Sequence, residues 1–213
     1  NVKIIGSDPG VVAQLNGGTH TANEDIAMMR ALPKVTVLAP GDLVEAEEAT
    51  KAAYKQQGTC YIRLGRGGEK RIHGSLNNFT IGNAIEIQKG KNVAIFSTGA
   101  IFDEVKEACE ILNTQGLVPM VYTFPTVKPI DKKVIIHCAK KCKSIVTVEE
   151  HNLSGGFGSA VAEVLAEIKD CKANLVRVAL DDRYSCIVGS QKYLRKQYAI
   201  DANTIIDKVK ENW

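Results

Sequence analysis

What this chain lacks narrows its class before any motif is read. It has a single tryptophan, six prolines and only 6% aromatic residues, with no internal repeat and no tract of biased composition. Fibrous and low-complexity classes are thereby excluded. No apolar run is long enough for a membrane-spanning helix and no secretory leader is visible, so a cytoplasmic setting and no membrane partner are expected. An excess of one charge is missing too: 27 basic and 24 acidic residues leave a net +3, spread without blocks, which gives no footprint for nucleic acid. Six cysteines are present, but the expected reducing compartment and a chain large enough to build its own core argue against disulfides. Cys138 and Cys142 stand four apart on a predicted helix. Zinc normally takes four ligands and no second pair has suitable spacing, so no metal site is assigned.

What is present is a folded globule's balance, 45% hydrophobic and 24% charged, with room for one large or two small domains. Strands are predicted at residues 2–5, 35–38 and 60–64, with helices at 23–31 and from 42 to about 57. Asn23 is the expected cap of the first helix, with Ile26 and Met29 on its buried face; Asp42 and Glu45 form a capping-box signature for the second. A second alternating unit follows. Its strands are predicted at 93–97, 120–124, 144–148 and 175–178, and its helices around residues 105–112, at 131–141, 159–168, 190–197 and 202–210. This alternation predicts an α/β fold with parallel or mixed sheets. The organisation expected is a truncated α/β unit at 1–68, a linker at 69–92 carrying at most one strand near 84–88, and a complete α/β domain at 93–213.

The residues with the most chemical potential cluster in loops of the first unit: Asp8, Asn16, His20 and Arg66. His20 lies in the turn Gly17-Gly18-Thr19-His20, whose glycines permit positive φ or a close approach, just ahead of a predicted helix. Asp8 and Arg66 each follow a predicted parallel strand, and open α/β sheets bind ligands outside the carboxyl ends of their strands. Two readings stand for each of the main candidates. His20 exchanges a proton or a hydrogen bond with a substrate oxygen, or it only closes a turn. Arg66 forks onto an anionic or hydroxyl group, or it pairs with a surface acid. The Glu149-Glu150-His151-Asn152 run and the glycine turn Gly155-Gly156-Phe157-Gly158 read as a structural turn or a subunit contact, because two glutamates ahead of a helix start repel a phosphate. His73 and His137 carry no signal.

Several of these stretches together resemble a family. Residues 17–40, with Asp25-Ile26-Ala27-Met28-Met29-Arg30-Ala31-Leu32-Pro33 inside them, resemble the second half of the pyrimidine-binding domain of transketolases, and Tyr61-Ile62-Arg63-Leu64-Gly65-Arg66 resembles that domain's last strand. Ser97-Thr98-Gly99-Ala100, the run 125–131 and Val148-Glu149-Glu150-His151-Asn152 with its glycine turn resemble the transketolase carboxy-terminal domain. The match covers nearly the whole chain in the family's order and spacing.

The resemblance implies ketol transfer between sugars or sugar phosphates with thiamine diphosphate and magnesium, in a homodimer. It implies that His20 contacts the substrate and the reacting intermediate and that Arg66 holds the acceptor's phosphate. Asp8 stands where the family usually has a second phosphate-binding histidine, Asn16 where it usually has an aspartate, and Gly18 where it usually has a proline. A carboxylate at Asp8 repels a phosphate, so the substrate is expected to be other than an ordinary sugar phosphate, or differently bound. The Gly-Asp-Gly motif that holds metal and diphosphate, and the glutamate that activates the cofactor, are not in these residues. The chain alone is therefore expected to be inactive and to need an amino-terminal cofactor-binding domain or subunit, with a fragment favoured over a natural split subunit. Rival readings are a deoxyxylulose-phosphate synthase, a 2-oxoacid dehydrogenase β subunit, and a non-catalytic dimerisation or interaction module.

Overall fold

The computed structural model describes residues 1–13, 16–76, 78–169 and 171–213. In chain order the first elements are β1 (Lys3–Ser7), α1 (Asp25–Ala31), β2 (Thr36–Leu38), α2 (Leu43–Lys55) and β3 (Cys60–Leu64). They are followed by β4 (Ile85–Gln88), β5 (Val93–Ser97), α3 (Phe102–Thr114), β6 (Met120–Thr123), β7 (Thr126–Lys128) and α4 (Lys132–Lys141). The chain continues through β8 (Ser144–Asn152), α5 (Phe157–Ala166), β9 (Asn174–Leu180), α6 (Gln191–Gln197) and α7 (Ala202–Glu211). Two sheets result, ordered β1-β3-β2-β7 and β4-β6-β5-β8-β9. All pairings are parallel except β7 on β2 and β4 on β6. The predicted α/β class holds.

Three local features depart from the sequence reading. The strand β7 is not among the predicted elements; Pro125 and Pro129 bracket it, and proline removes a ladder donor. It lies at the edge of the first sheet, where that loss is tolerated, and it ties the second unit to the first. Helix α1 starts at Asp25, and Asn23 does not cap it. The Asn23 carbonyl instead accepts the Asn152 amide at 2.7 Å, its own amide donates to Glu24 at 2.8 Å, and the residue is buried under the end of β8. Helix α5 begins at Phe157, two residues early, because the buried Glu149 carboxylate accepts the Phe157 and Gly158 amides at 2.6 and 2.7 Å. That cap comes from the preceding strand and takes two of the glycine turn's amides, while the Gly155 amide donates to Ser159 Oγ at 3.0 Å. Within 69–92, β4 pairs with β6, so the last part of the expected linker belongs to the second sheet.

Among the described residues, one of three hydrophobic clusters joins the two sheets. Ile26, Val37 and Tyr61 of the first unit pack in the same cluster as Phe96, Phe124 and Phe157 of the second. The three phenylalanines stack in series, with ring centroids 4.9 and 5.1 Å apart. Burial of this kind stabilises by roughly 25 cal/mol per Å² of apolar surface, which makes the seam a structural joint and fixes the loops above it. Asp42 caps α2 by accepting the Glu45 amide at 2.8 Å, as its sequence spacing predicts. The Glu45 side chain reaches back one residue further than a capping box requires, to the Gly41 amide at 2.7 Å.

Candidate functional site

Parallel register carries β1 and β3 out of the sheet together, since Ser7 lies opposite Leu64. Asp8 and Arg66 therefore emerge on one rim, as their position after parallel strands predicts. Asp8 takes φ +56°, a left-handed conformation that aspartate tolerates better than most residues. Its Oδ1 lies 3.4 Å from Arg66 Nε, and both side chains reach solvent, at 42% and 61% exposure. Arg66 thus faces a surface acid, and that acid is the other rim candidate.

The histidine turn is attached beside this rim. An isolated parallel bridge joins Pro9 to Ala22, and the Gly10 amide donates to the Ala22 carbonyl at 2.8 Å. Residues 17–20 form a 3-10 turn in which Gly17 takes φ +69°. Gly18 lies against the Ser185 carbonyl, which a Cβ would meet at 2.7 Å, so the turn uses both properties for which its glycines were singled out. His20 is exposed, and its Nδ1 pairs with Thr19 Oγ1 at 2.9 Å. Asn16 is exposed at the head of the turn and makes no capping bond to it.

Beneath these residues lies a buried polar frame that the sequence reading missed. Arg63 Nε donates to Asp25 Oδ2 at 2.8 Å, and one terminal nitrogen donates to the Ala22 carbonyl at 3.3 Å and the Glu150 carbonyl at 2.9 Å. The Tyr61 hydroxyl donates to the same Asp25 oxygen at 2.7 Å. Glu150 in turn accepts the Val11 amide at 2.8 Å and Arg195 Nε at 2.7 Å. Arg195 also faces Glu104 at 3.4 Å. His151 donates from Nδ1 to the Asn152 carbonyl at 2.8 Å and accepts the Ala27 amide on Nε2 at 3.3 Å. Burial, with Arg63 nearby, pushes the His151 pKa down, and the two bonds together define a neutral ring. The signal available for this frame was compositional: charged residues at 149–151 and at 63 interrupt otherwise buried strands, and such groups need partners.

His73, which carried no sequence signal, joins Asp42 and Glu45 in the one cluster of acidic and histidine ligands tight enough for an ion among the described residues. Its oxygens are already taken. Asp42 accepts from the Glu45, Ile72 and His73 amides, and Glu45 accepts from the Gly41 amide, the Thr123 hydroxyl at 2.6 Å and His73 Nε2 at 2.8 Å. The cluster fits a polar staple between the two units and does not fit a metal seat. A cavity of about 350 Å³ opens beside it, between Pro40–Leu43 and the Gly65–Glu69 loop that carries Arg66.

Two family profiles match the chain: "Transketolase, pyrimidine binding domain" over residues 1–68 and "Transketolase, C-terminal domain" over residues 82–205. The chain is 38% identical over 206 residues to the 6-deoxy-6-sulfo-D-fructose transketolase subunit SqwH of a Clostridium species, covering 97% of this chain and 63% of that protein. It is 32% identical over 207 residues to an apulose-4-phosphate transketolase subunit of Actinobacillus succinogenes, covering 97% of this chain and 66% of that one. Its fold is similar to that of a split-gene transketolase solved as an inactive beta4 tetramer, with a TM-score of 0.86 and 32% identity over 100% of this chain and 66% of that one. The chain thus spans about two thirds of the length of these relatives.

Proposed function

Because the chain belongs to the transketolase family, we propose that it is the substrate-side, carboxy-terminal part of an enzyme that moves two-carbon ketol units between sugars. In this reading residues 1–68 are the back half of the pyrimidine-binding domain, 69–92 connect it onward with β4 already in the second sheet, and 93–213 form the carboxy-terminal domain. Thiamine diphosphate and magnesium are held by an amino-terminal domain or subunit, and the whole works as a homodimer or a larger assembly in the cytoplasm. Two of the relatives are named as subunits, which supports a separate partner chain.

His20 is the residue assigned to the reacting part of the substrate. It is exposed on a turn whose neighbouring stretches are held, Ala22 by Arg63 and Val11 by Glu150, so its ring is presented outward between fixed segments. Asp8, Asn16 and Arg66 form the part of the site that receives the distal end of the sugar. The observation that carries the substrate reading is the Asp8–Arg66 pair: with a carboxylate on the guanidinium, the rim favours hydroxyls over a dianionic phosphate.

The test is reconstitution. The chain is mixed with its amino-terminal partner, thiamine diphosphate and magnesium, and ketol transfer is followed from matched phosphorylated and unphosphorylated ketoses. Cofactor-dependent transfer favouring the unphosphorylated sugar is expected. Strict phosphate dependence overturns the substrate reading, and association without turnover replaces the enzyme with an interaction module.

A further inference from the structure

The segment between β9 and α6 belongs to the second unit, yet it rests on the histidine turn of the first. The Ser185 carbonyl and the Tyr184 Cβ lie 2.7 and 3.5 Å from the position of a Cβ on Gly18, two residues before His20. The segment is held from its other side. Ser185 is buried, its Oγ donates to the Ile187 carbonyl at 3.0 Å, and Oγ pairs with the Tyr198 hydroxyl at 2.7 Å. Arg183 lies over the Tyr198 ring at 5.3 Å. Helix α6, which Tyr198 follows, also holds the stretch that leads into the turn, because Gln191 and Arg195 hold Glu150, which holds the Val11 amide. A residue at 18 with any side chain would displace this segment, so glycine there is the condition for the contact.

We propose that the 181–189 segment positions His20 for substrate, with Gly18, Ser185 and Tyr198 as positioning residues that act through the turn. The second unit thereby reaches into the site, a role that rests on His20 being the substrate-contacting residue. Ser185 and Tyr198 set how far the segment leans on Gly18. Gly18 transmits that setting to the ring through Thr19, whose hydroxyl pairs with His20 Nδ1.

The chain contains four histidines, which gives an internal reference for NMR of the labelled imidazole rings. Tyr198→Phe keeps the packed ring and removes only the hydroxyl on Ser185; Gly18→Ala puts a methyl into the Ser185 carbonyl. In both variants the His20 ring signals are expected to shift while those of His73, His137 and His151 stay in place. In the reconstituted enzyme Tyr198→Phe is expected to lower kcat by about tenfold with KM near that of the unaltered protein. Unmoved His20 signals in Tyr198→Phe, a shift of all four histidines together, or an unchanged kcat once His20 has moved each overturn the positioning role. If the unaltered assembly shows no ketol transfer, the functional reading falls, and the ring signals of the chain itself still decide whether the segment sets His20.

Discussion

Arg63 and Asp25 form a buried ion pair, Nε to Oδ2 at 2.8 Å, with side chains 3% and 9% exposed. The second Asp25 oxygen has no partner among the described residues, so the hydrogen bonds to that carboxylate run through one oxygen shared by Arg63 and Tyr61. Burial opposes ionisation of Asp25. The Arg63 charge and hydrogen bond, joined by the Tyr61 hydroxyl, outweigh it and hold the carboxyl below its usual value. Through Ala22 and Glu150, the same guanidinium fixes the end of the histidine turn to β8.

Arg63→Met therefore leaves a buried carboxylate without its cation and is expected to cost about 3–5 kcal/mol in urea unfolding. Tyr61→Phe loses one hydrogen bond and is expected to cost about 1 kcal/mol. Adding Asp25→Asn to Arg63→Met should recover part of the loss, because the uncompensated charge is gone. Strictly additive losses would show that the two residues do not act as a pair. The pH sign follows from the lowered folded pKa: the stabilisation is present above the ordinary value of 3.8 and is lost as pH falls below it.

Asp8→Asn removes the charge facing Arg66 while keeping a residue that accepts the left-handed backbone at φ +56°. The pair is exposed, so the unfolding midpoint should move by less than about 1 kcal/mol equivalent. In the reconstituted enzyme the freed guanidinium should lower KM for a phosphorylated acceptor and leave that for the unphosphorylated one nearly unchanged. Equal KM changes for both sugars would remove the rim from substrate selection.

His20→Ala is expected to lower kcat on the order of 100-fold. Its ring is exposed and bonds only to Thr19 among the described residues, so thermal unfolding should not change. A variant with full kcat would show that His20 closes its turn and does nothing more.

The sequence carried the periodic elements well where local rules decide them. Strands at 60–64 and 93–97 match the structure, and Asp42, Asp131, Ser190 and Asp201 each accept an amide at the start of a helix. It failed where a distant partner decides. Asn23 looks like a cap until the end of β8 takes its carbonyl, Glu149 caps a helix from eight residues upstream, and β7 forms only because β2 offers an open edge. The site divides the same way. Asp8 and Arg66 were placed on one rim by strand order, whereas their mutual pairing and the frame of Arg63, Glu150 and Arg195 depend on contacts between segments far apart in sequence.

The pH dependence of Glu149 is opposite in sign to that of Asp25. Complete burial raises its pKa from 4.5 to about 7, against the opposing pull of the Gly158 and Phe157 amides and of Arg63 and Arg30. The folded state therefore binds the proton more tightly than the unfolded state, and this group's stabilisation is full below 4.5 and lost as pH rises toward 7. The span corresponds to roughly 3 kcal/mol. His151 works the other way, since its lowered pKa makes stability rise with pH up to its ordinary value of 6.5. The two slopes offset each other across the acidic range in the unaltered chain. Glu149→Gln is neutral at every pH and keeps an oxygen for one of the two amides, so only the rising slope should remain. Urea unfolding between pH 5 and 8 should accordingly show the variant gaining up to about 3 kcal/mol on the unaltered chain as pH increases. Parallel stability curves would show that Glu149 stays ionised through this range, with the helix amides outweighing its burial.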